Sequence, residues 1–133
     1  MQTFLPYKSF KKSVEVLDNR RLGKQRVEAY QILKALAGQT KGWVNHPAVK
    51  MWRGHEQALS LYMNHCIIEW TNRGFKNTMK LAEGIGSVDN PVWLGDEKFH
   101  ASHRSNLLRK FPEHYSQFGW EEKDNLPYIW PIQ

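Results

Sequence analysis

Apolar residues recur at helical spacing in three stretches of the chain, with glycines and prolines between them. After an extended start at MQTFLPY, the pattern predicts a short helix over residues 9–17. A long helix follows, with Asp18 as its N-cap and Gly38 at its end. The side of this helix predicted to face the core carries Leu22, Ala29, Leu33 and Leu36.

The next helix is predicted to begin at Pro47, to kink at Gly54 and to run to Arg73 before Gly74. Its apolar stripe consists of Leu59, Tyr62, Met63, Cys66, Ile67 and Trp70. Cys66 is therefore predicted to be an inert thiol in the core. As the one cysteine of the chain, it forms no internal disulfide and suits a reducing interior.

The last third of the chain is less regular. Residues 75–95 are rich in Gly, Asn and Asp and are predicted to be a loop with one helical turn at 79–83. A third long helix is expected from Asp96 to Lys110, with Pro112 just beyond it. The remaining tail is aromatic and has no clear period. The expected fold is all-α, a single domain over residues 1–133 with about three principal helices and an irregular aromatic C-terminal tail.

Composition narrows the class of function. The chain is 41% hydrophobic, which argues against disorder, and no apolar run approaches the roughly 18 residues of a membrane span. We therefore expect an intracellular, cytoplasmic, nucleoid-associated protein without membrane contact. The formal net charge of +6 favours an anionic partner, with nucleic acid as the leading candidate.

The positive charge is concentrated at one place. Seven cations and two acids lie between Lys8 and Arg26, and Arg20, Arg21, Lys24 and Arg26 fall within seven positions. This density is typical of a surface that faces phosphates. Arg21, Lys24 and Glu28 occupy a strip about 60° wide beside the apolar stripe, where a cleft wall would lie. The alternative is an exposed Lys24–Glu28 pair worth about 0.2–0.5 kcal/mol.

Four segments carry a resemblance to a known family. They are LDNRRLGKQRVEAYQIL, NHPAVKMWRG, EWTNRGF and FPEHYSQFGW, and they occur in this order over nearly the whole chain. The chain resembles the pyrimidine-dimer DNA glycosylases, small all-α phage and algal-virus enzymes that cut UV-damaged DNA, and more closely a largely uncharacterised bacterial branch of that family.

The resemblance implies a bifunctional glycosylase and abasic-site lyase that needs no metal and no cofactor. Its nucleophile would be the α-amino group of the first residue, here Met1, which can attack the sugar C1′ and form a Schiff base. The spacing from Leu22 places the family's acid at Glu28, which would stabilise positive charge and move protons. The sequence departs from the family at Gln2, where a small residue is usual, and at Val27, where arginine is usual.

Other residues are candidates for contact with DNA. His100, His103 and Arg104 lie on the last helix and His46 precedes Pro47; these suit phosphates or bases, or are ordinary surface residues. A zinc site is a further alternative that requires three or four converging ligands, and we expect no metal. Aromatic side chains that would hold an opened base stack are Trp43, Tyr115 and Trp120, unless the tail packs onto the core.

The leading hypothesis is a monomeric DNA glycosylase that removes a damaged or modified base, most simply a pyrimidine, from double-stranded DNA. One rival is a non-catalytic DNA-binding protein with the same fold and basic face. Another is a metal-free enzyme of RNA processing or of nucleotide-sugar chemistry. The sequence does not identify the base, because base choice depends on the shape of a cleft that no motif reports.

Overall fold

A computed structural model describes residues 1–132 and is helical, with no strand in that range. The helices are α1 (Phe10–Glu15), α2 (Asn19–Leu36), α3 (Pro47–Lys50), α4 (Glu56–Asn72), α5 (Glu97–Lys110) and α6 (Pro112–Tyr115), followed by a 3₁₀ turn over Ser116–Phe118. The all-α prediction is confirmed. Three helices, α2, α4 and α5, have 14 or more residues. The single-domain assignment of 1–133 stays a prediction, and Gln133 lies outside the described residues.

The long helix α2 forms as predicted, with one change to its buried face. Asp18 caps it by accepting a hydrogen bond from the amide of Arg21. Beyond its end, Gly38 takes a positive φ of 76°. Leu22 and Ala29 are buried as expected, whereas Leu33 and Leu36 are only partly buried. The core face also includes Gln25, Ile32 and Ala35, so a polar residue lies at its centre.

The helix predicted from Pro47 to Arg73 is two helices, which corrects the single kinked element. The chain breaks after α3 because Gly54 takes a φ of 85°, in the left-handed region that stops a right-handed helix. Trp52 lies in this break and is fully buried. The predicted helical turn at 79–83 does not form.

The core forms where α2 packs along α4. Close approach is possible because Gly23 has no side chain: a Cβ there would lie 2.9 Å from the Trp70 ring. None of the helices described for residues 1–132 is both long and apolar enough to cross a membrane.

Helix α5 is internal although its buried side is largely polar. It starts at the predicted cap, where Asp96 accepts from the amide of Lys98. Ser102, Ser105 and Asn106 are buried and form hydrogen bonds with the main chain of the irregular tail. The hydroxyl of Ser105 accepts from the amide of Leu126, and the hydroxyl of Ser102 accepts from the amide of Ile129. The tail therefore folds back along α5 through side-chain hydrogen bonds rather than through a helix of its own.

Candidate functional site

The extended N-terminal segment, residues 2–7, is held by polar side chains of the helices around it. Its main-chain groups at Phe4, Leu5 and Pro6 bond to side chains from α2, α4 and α5. Tyr7 bonds Ser13 through both its amide and its carbonyl group. These bonds replace the partners that a helix or sheet would supply, and they fix where the start of the chain lies.

Gln25 organises the first part of this segment. Its Oε1 accepts the amide of Phe4 at 2.8 Å and lies 2.7 Å from the Tyr62 hydroxyl. Its Nε2 donates to the carbonyl of Gln2 at 2.8 Å and to Oε2 of Glu28 at 3.1 Å. One buried carboxamide thus joins α2, α4 and the N-terminal segment. The same group orients the carboxylate of Glu28.

Glu28 lies beside the start of the chain. The amide of Gln2 donates to Glu28 Oε2 at 3.2 Å, so Met1 and Glu28 face the same space. That space is a cleft of about 460 Å³, lined by Met1, Gln2, Phe4, Arg20, Arg21, Lys24, Gln25, Glu28, Lys110, Tyr128 and Trp130. Within the described range, Glu28 is the one acidic side chain of this lining.

Four cations line one part of the cleft, which we call the basic wall. Arg20, Arg21 and Lys24 line it together with Lys110, which comes from the end of α5. Arg21 is partly engaged, since its guanidinium lies 3.2 Å from the Asp18 carboxylate. Among the ion pairs described for residues 1–132, none joins Lys24 to Glu28. The expected strip of Arg21, Lys24 and Glu28 therefore borders a cleft and does not form an exposed ladder of ion pairs.

Arg26 does not belong to this wall, which corrects its place in the predicted cluster. Its guanidinium lies 4.4 Å from the centre of the Trp70 ring and donates to Asn77 at 2.6 Å. Burial lowers the pKa of Arg26. The guanidinium of Arg26 therefore joins α2 to the loop after α4.

Aromatic rings form a second part of the lining, which we call the aromatic wall. Tyr128 and Trp130, both from the tail, line the cleft, and the Trp130 ring meets His46 at 5.9 Å. His46 in turn meets Trp43 at 5.8 Å, and Trp43 is 59% exposed. Trp43 is also the one non-glycine residue of the described chain with a positive φ, 70°. Trp43 and His46 thus extend the aromatic wall outward from the cleft.

The environment of His46 reflects its position. Its Nδ1 accepts the amide of Ala48 and so caps α3. Burial and the nearby terminal amine lower the pKa of His46, while the negative charge of Glu28 acts in the opposite direction. His46 therefore lies within electrostatic reach of both the terminal amine and Glu28.

His100, His103 and Arg104 are buried, which corrects the expectation that they contact DNA. His100 donates from Nδ1 to the carbonyl of Leu5, since its Nε2 accepts from Gly95. His103 accepts the amide of Leu5, and burial lowers its pKa to about 3. Arg104 donates to the carbonyl of Pro6 and pairs with Glu97 and Glu122. These side chains hold the N-terminal segment in place.

Tyr115 is buried, which corrects its prediction as a DNA contact, whereas Trp120 is partly exposed and its contact with DNA stays a prediction. Tyr115 is fully buried and donates to the Asp18 carboxylate at 2.5 Å. This bond and the burial raise the pKa of Tyr115. The Trp120 ring stacks on Tyr115 at 5.7 Å, and its Nε1 donates to the Tyr7 hydroxyl. The first part of the tail therefore packs against the N-terminal segment and the start of α2.

Six cleft residues were not predicted as site residues from the sequence. They are Gln2, Phe4, Gln25, Lys110, Tyr128 and Trp130. Gln25 carried a signal, since it lies three positions from Leu22 and four from Ala29 and so shares their buried side. The tail residues carried none, because they lie in a segment without a period.

No group of three or more His, Cys, Asp or Glu side chains in residues 1–132 is arranged to hold a metal ion. Cys66 is fully buried, and burial raises the pKa of its thiol. It is therefore a core residue, as expected.

Comparison with known proteins supplies one match. A family model described as pyrimidine dimer DNA glycosylase matches residues 1–83. No curated protein and no solved structure matches the chain. The matched range contains α1 to α4 and the part of the cleft lining that includes Met1 and Glu28, whereas Lys110, Tyr128 and Trp130 lie beyond it.

Proposed function

Because the chain belongs to the pyrimidine dimer DNA glycosylase family, we propose that its cleft excises a damaged or modified pyrimidine from double-stranded DNA without a metal ion. Membership of the family makes DNA the partner and base removal the class of reaction. The class of lesion, the nucleophile and the lyase step are further proposals of ours.

One observation carries the proposal: the amide of Gln2 lies 3.2 Å from Glu28 Oε2, with Met1 beside it in the cleft. An amine and a carboxylate close together are the two groups that a metal-free glycosylase and lyase requires. Gln25 bonds Oε2 of Glu28 and the carbonyl of Gln2, the residue that follows the amine.

In the proposed reaction, the bond between the base and the sugar C1′ breaks as positive charge develops on the sugar. The Glu28 carboxylate stabilises this charge. The α-amino group of Met1 bonds to C1′, and the proton that this nitrogen then loses passes through Glu28 to the departing base. Opening of the sugar ring gives an iminium, from which β-elimination cuts the strand and hydrolysis frees the amine.

The two walls have separate tasks in this proposal. Arg20, Arg21, Lys24 and Lys110 bind the phosphates that flank the lesion, since their charges surround the cleft. Tyr128 and Trp130 offer apolar faces against which a displaced base can stack. Trp43, at the exposed end of the aromatic wall, contacts the opened duplex. We also propose that the protein acts as a monomer inside the cell, where it meets the nucleoid.

The test is a panel of duplexes that carry UV photoproducts, alkylated bases, deaminated bases or hypermodified pyrimidines. We expect release of a base from at least one of them, and borohydride should trap a DNA adduct on the peptide that contains Met1. Release without an adduct would retain the glycosylase and remove the lyase step.

Absence of release from every duplex, together with tight binding, would instead favour a DNA-binding protein that retains the basic wall. The Glu28→Gln variant distinguishes a glycosylase from a DNA-binding protein without catalysis. A glycosylase loses turnover in this variant, whereas a binding protein keeps or gains affinity because a negative charge has been removed.

A further inference from the structure

Gln2 has a hydrogen-bond donor without a partner. Its Oε1 accepts the amide of Thr3 at 2.8 Å, which fixes the orientation of the carboxamide. Its Nε2 is buried and makes no hydrogen bond of good geometry in the described protein. Buried donors are nearly always paired, so an orphan beside a cleft indicates a ligand that supplies the missing acceptor.

The position of this donor relates it to the proposed chemistry. Gln2 is 7% exposed and lines the cleft together with Phe4, Tyr128 and Glu28. Its own amide bonds Glu28. A base that reached Nε2 would therefore have its sugar C1′ close to Glu28 and to Met1.

Tyr128 lies beside this donor. Burial raises the pKa of Tyr128 to about 12, and hydrogen bonding to the side chain of Gln2 acts against that shift, so the Tyr128 hydroxyl is close to the Gln2 carboxamide. Tyr128 lies in the irregular tail, where Ile129 is tied to Ser102 by a 3.2 Å bond. Because Nε2 is buried, admitting an acceptor to it requires a neighbouring side chain such as Tyr128 to move.

We propose that Gln2 is the residue that recognises the base: its Nε2 donates a hydrogen bond to a carbonyl oxygen of the pyrimidine displaced into the cleft. The inference rests on the proposed function for the identity of the ligand. It assigns substrate recognition to the side chain of Gln2 and leaves the reaction to Met1 and Glu28.

The experiment compares two duplexes that differ at one unpaired position, which carries either thymine or 2,4-difluorotoluene. The second base has the shape of thymine but lacks its carbonyl oxygens. In competition binding, the wild-type protein should prefer thymine by about 10-fold, the worth of a net hydrogen bond. Gln2→Met should bind both duplexes equally, and the control Gln31→Met, at an exposed glutamine of α2, should keep the preference.

A second variant guards against loss of structure. Gln2→Glu retains an oxygen for the amide of Thr3 but has no Nε2 donor, so it should also lose the preference. Thermal unfolding and the mass of the N-terminal peptide check that each variant is folded and intact. Equal binding of the two duplexes by wild type, or a preference retained by either variant, would overturn the proposal.

Base release is measured separately, on the lesion panel. Preference for thymine without release from any lesion would leave the role of Gln2 intact and reject the glycosylase. Release of a base by a protein that does not distinguish the two duplexes would do the reverse.

Discussion

The amide nitrogen of Gln2 lies 3.2 Å from Oε2 of Glu28, although 26 positions separate these residues in the chain. The contact depends on Gln25, which bonds both of them from the buried side of α2. The start of the chain and the acidic side chain thus form one unit, and each part of this unit can be tested.

Replacing Glu28 by Gln keeps the size of the side chain and removes its charge. On an accepted substrate, we expect the rate of base release to fall roughly 10²–10⁴-fold, as for other lost acid–base groups. Affinity for DNA should hold or rise. Single-turnover kinetics and equilibrium binding measure the two effects, with Glu15→Gln on α1 as the control. Base release at the wild-type rate by folded Glu28→Gln would reject the assignment.

Gln25→Met should affect both the fold and the reaction. The substitution leaves the amide of Phe4 and the carbonyl of Gln2 without partners, and each unpaired buried group costs roughly 1–3 kcal/mol. We expect a lower free energy of unfolding in urea and a lower single-turnover rate at saturating DNA. A variant with wild-type stability would show that the network around Gln25 is not required.

The basic wall should determine how binding depends on salt. Substituting Arg20 and Lys24 together by Ala should reduce the slope of log affinity against log salt by about 2, if each side chain neutralises one phosphate. The matched control is Lys11→Ala with Lys12→Ala, on exposed positions of α1 outside the cleft. An equal loss of slope in both double variants would mean that DNA responds only to total charge.

His103 should make the fold sensitive to acid. Its pKa in the folded protein is about 3, below the ordinary value of 6.5, so protons bind the unfolded chain more tightly. The stabilisation is present above pH 6.5 and is lost as the pH falls toward 3, by about 1.4 kcal/mol per pH unit at most. His103→Asn keeps an acceptor for the amide of Leu5 and should flatten this part of the stability curve.

The measurement is the unfolding temperature from pH 7.5 to 4, compared between wild type and His103→Asn. Burial also lowers the pKa values of His65 and His100, so some acid sensitivity should remain in the variant. Identical curves would mean that His103 does not control the acid response.

Trp43→Gly should weaken opening of the duplex without lowering the stability of the protein. The φ of 70° strains a tryptophan but suits glycine, so the unfolding temperature should stay the same or rise. Opening of the duplex should weaken, because the exposed ring is gone. Fluorescence of 2-aminopurine beside the lesion measures opening, with Tyr30→Ala, an exposed aromatic outside the cleft, as the control. Unchanged fluorescence would remove Trp43 from the DNA surface.

Periodicity was enough to predict the long helix α2 and the place of Arg21, Lys24 and Glu28 on it. Asp18 marks the start of α2, and the angular positions of Arg21, Lys24 and Glu28 place them together beside the buried stripe. Both facts follow from local geometry, which is the same in every helix.

The polar interior of α5 could not be predicted in this way. His103, Arg104 and Ser105 look like surface residues in a sequence, because the pattern assumes that buried means apolar. They are internal because each satisfies a main-chain group of a segment without secondary structure. The segments that need such partners are distant in the chain, so no local pattern reveals them.

The fixed path of residues 2–7 has a practical consequence for anyone who produces this protein. Because side chains of α2, α4 and α5 hold these residues, any residue fused before Met1 would emerge directly into the cleft beside Glu28. An affinity tag at that end would obstruct the cleft and would convert the α-amine into an amide. Under the reaction that we propose, such a preparation lacks its nucleophile until a protease removes the tag up to Met1.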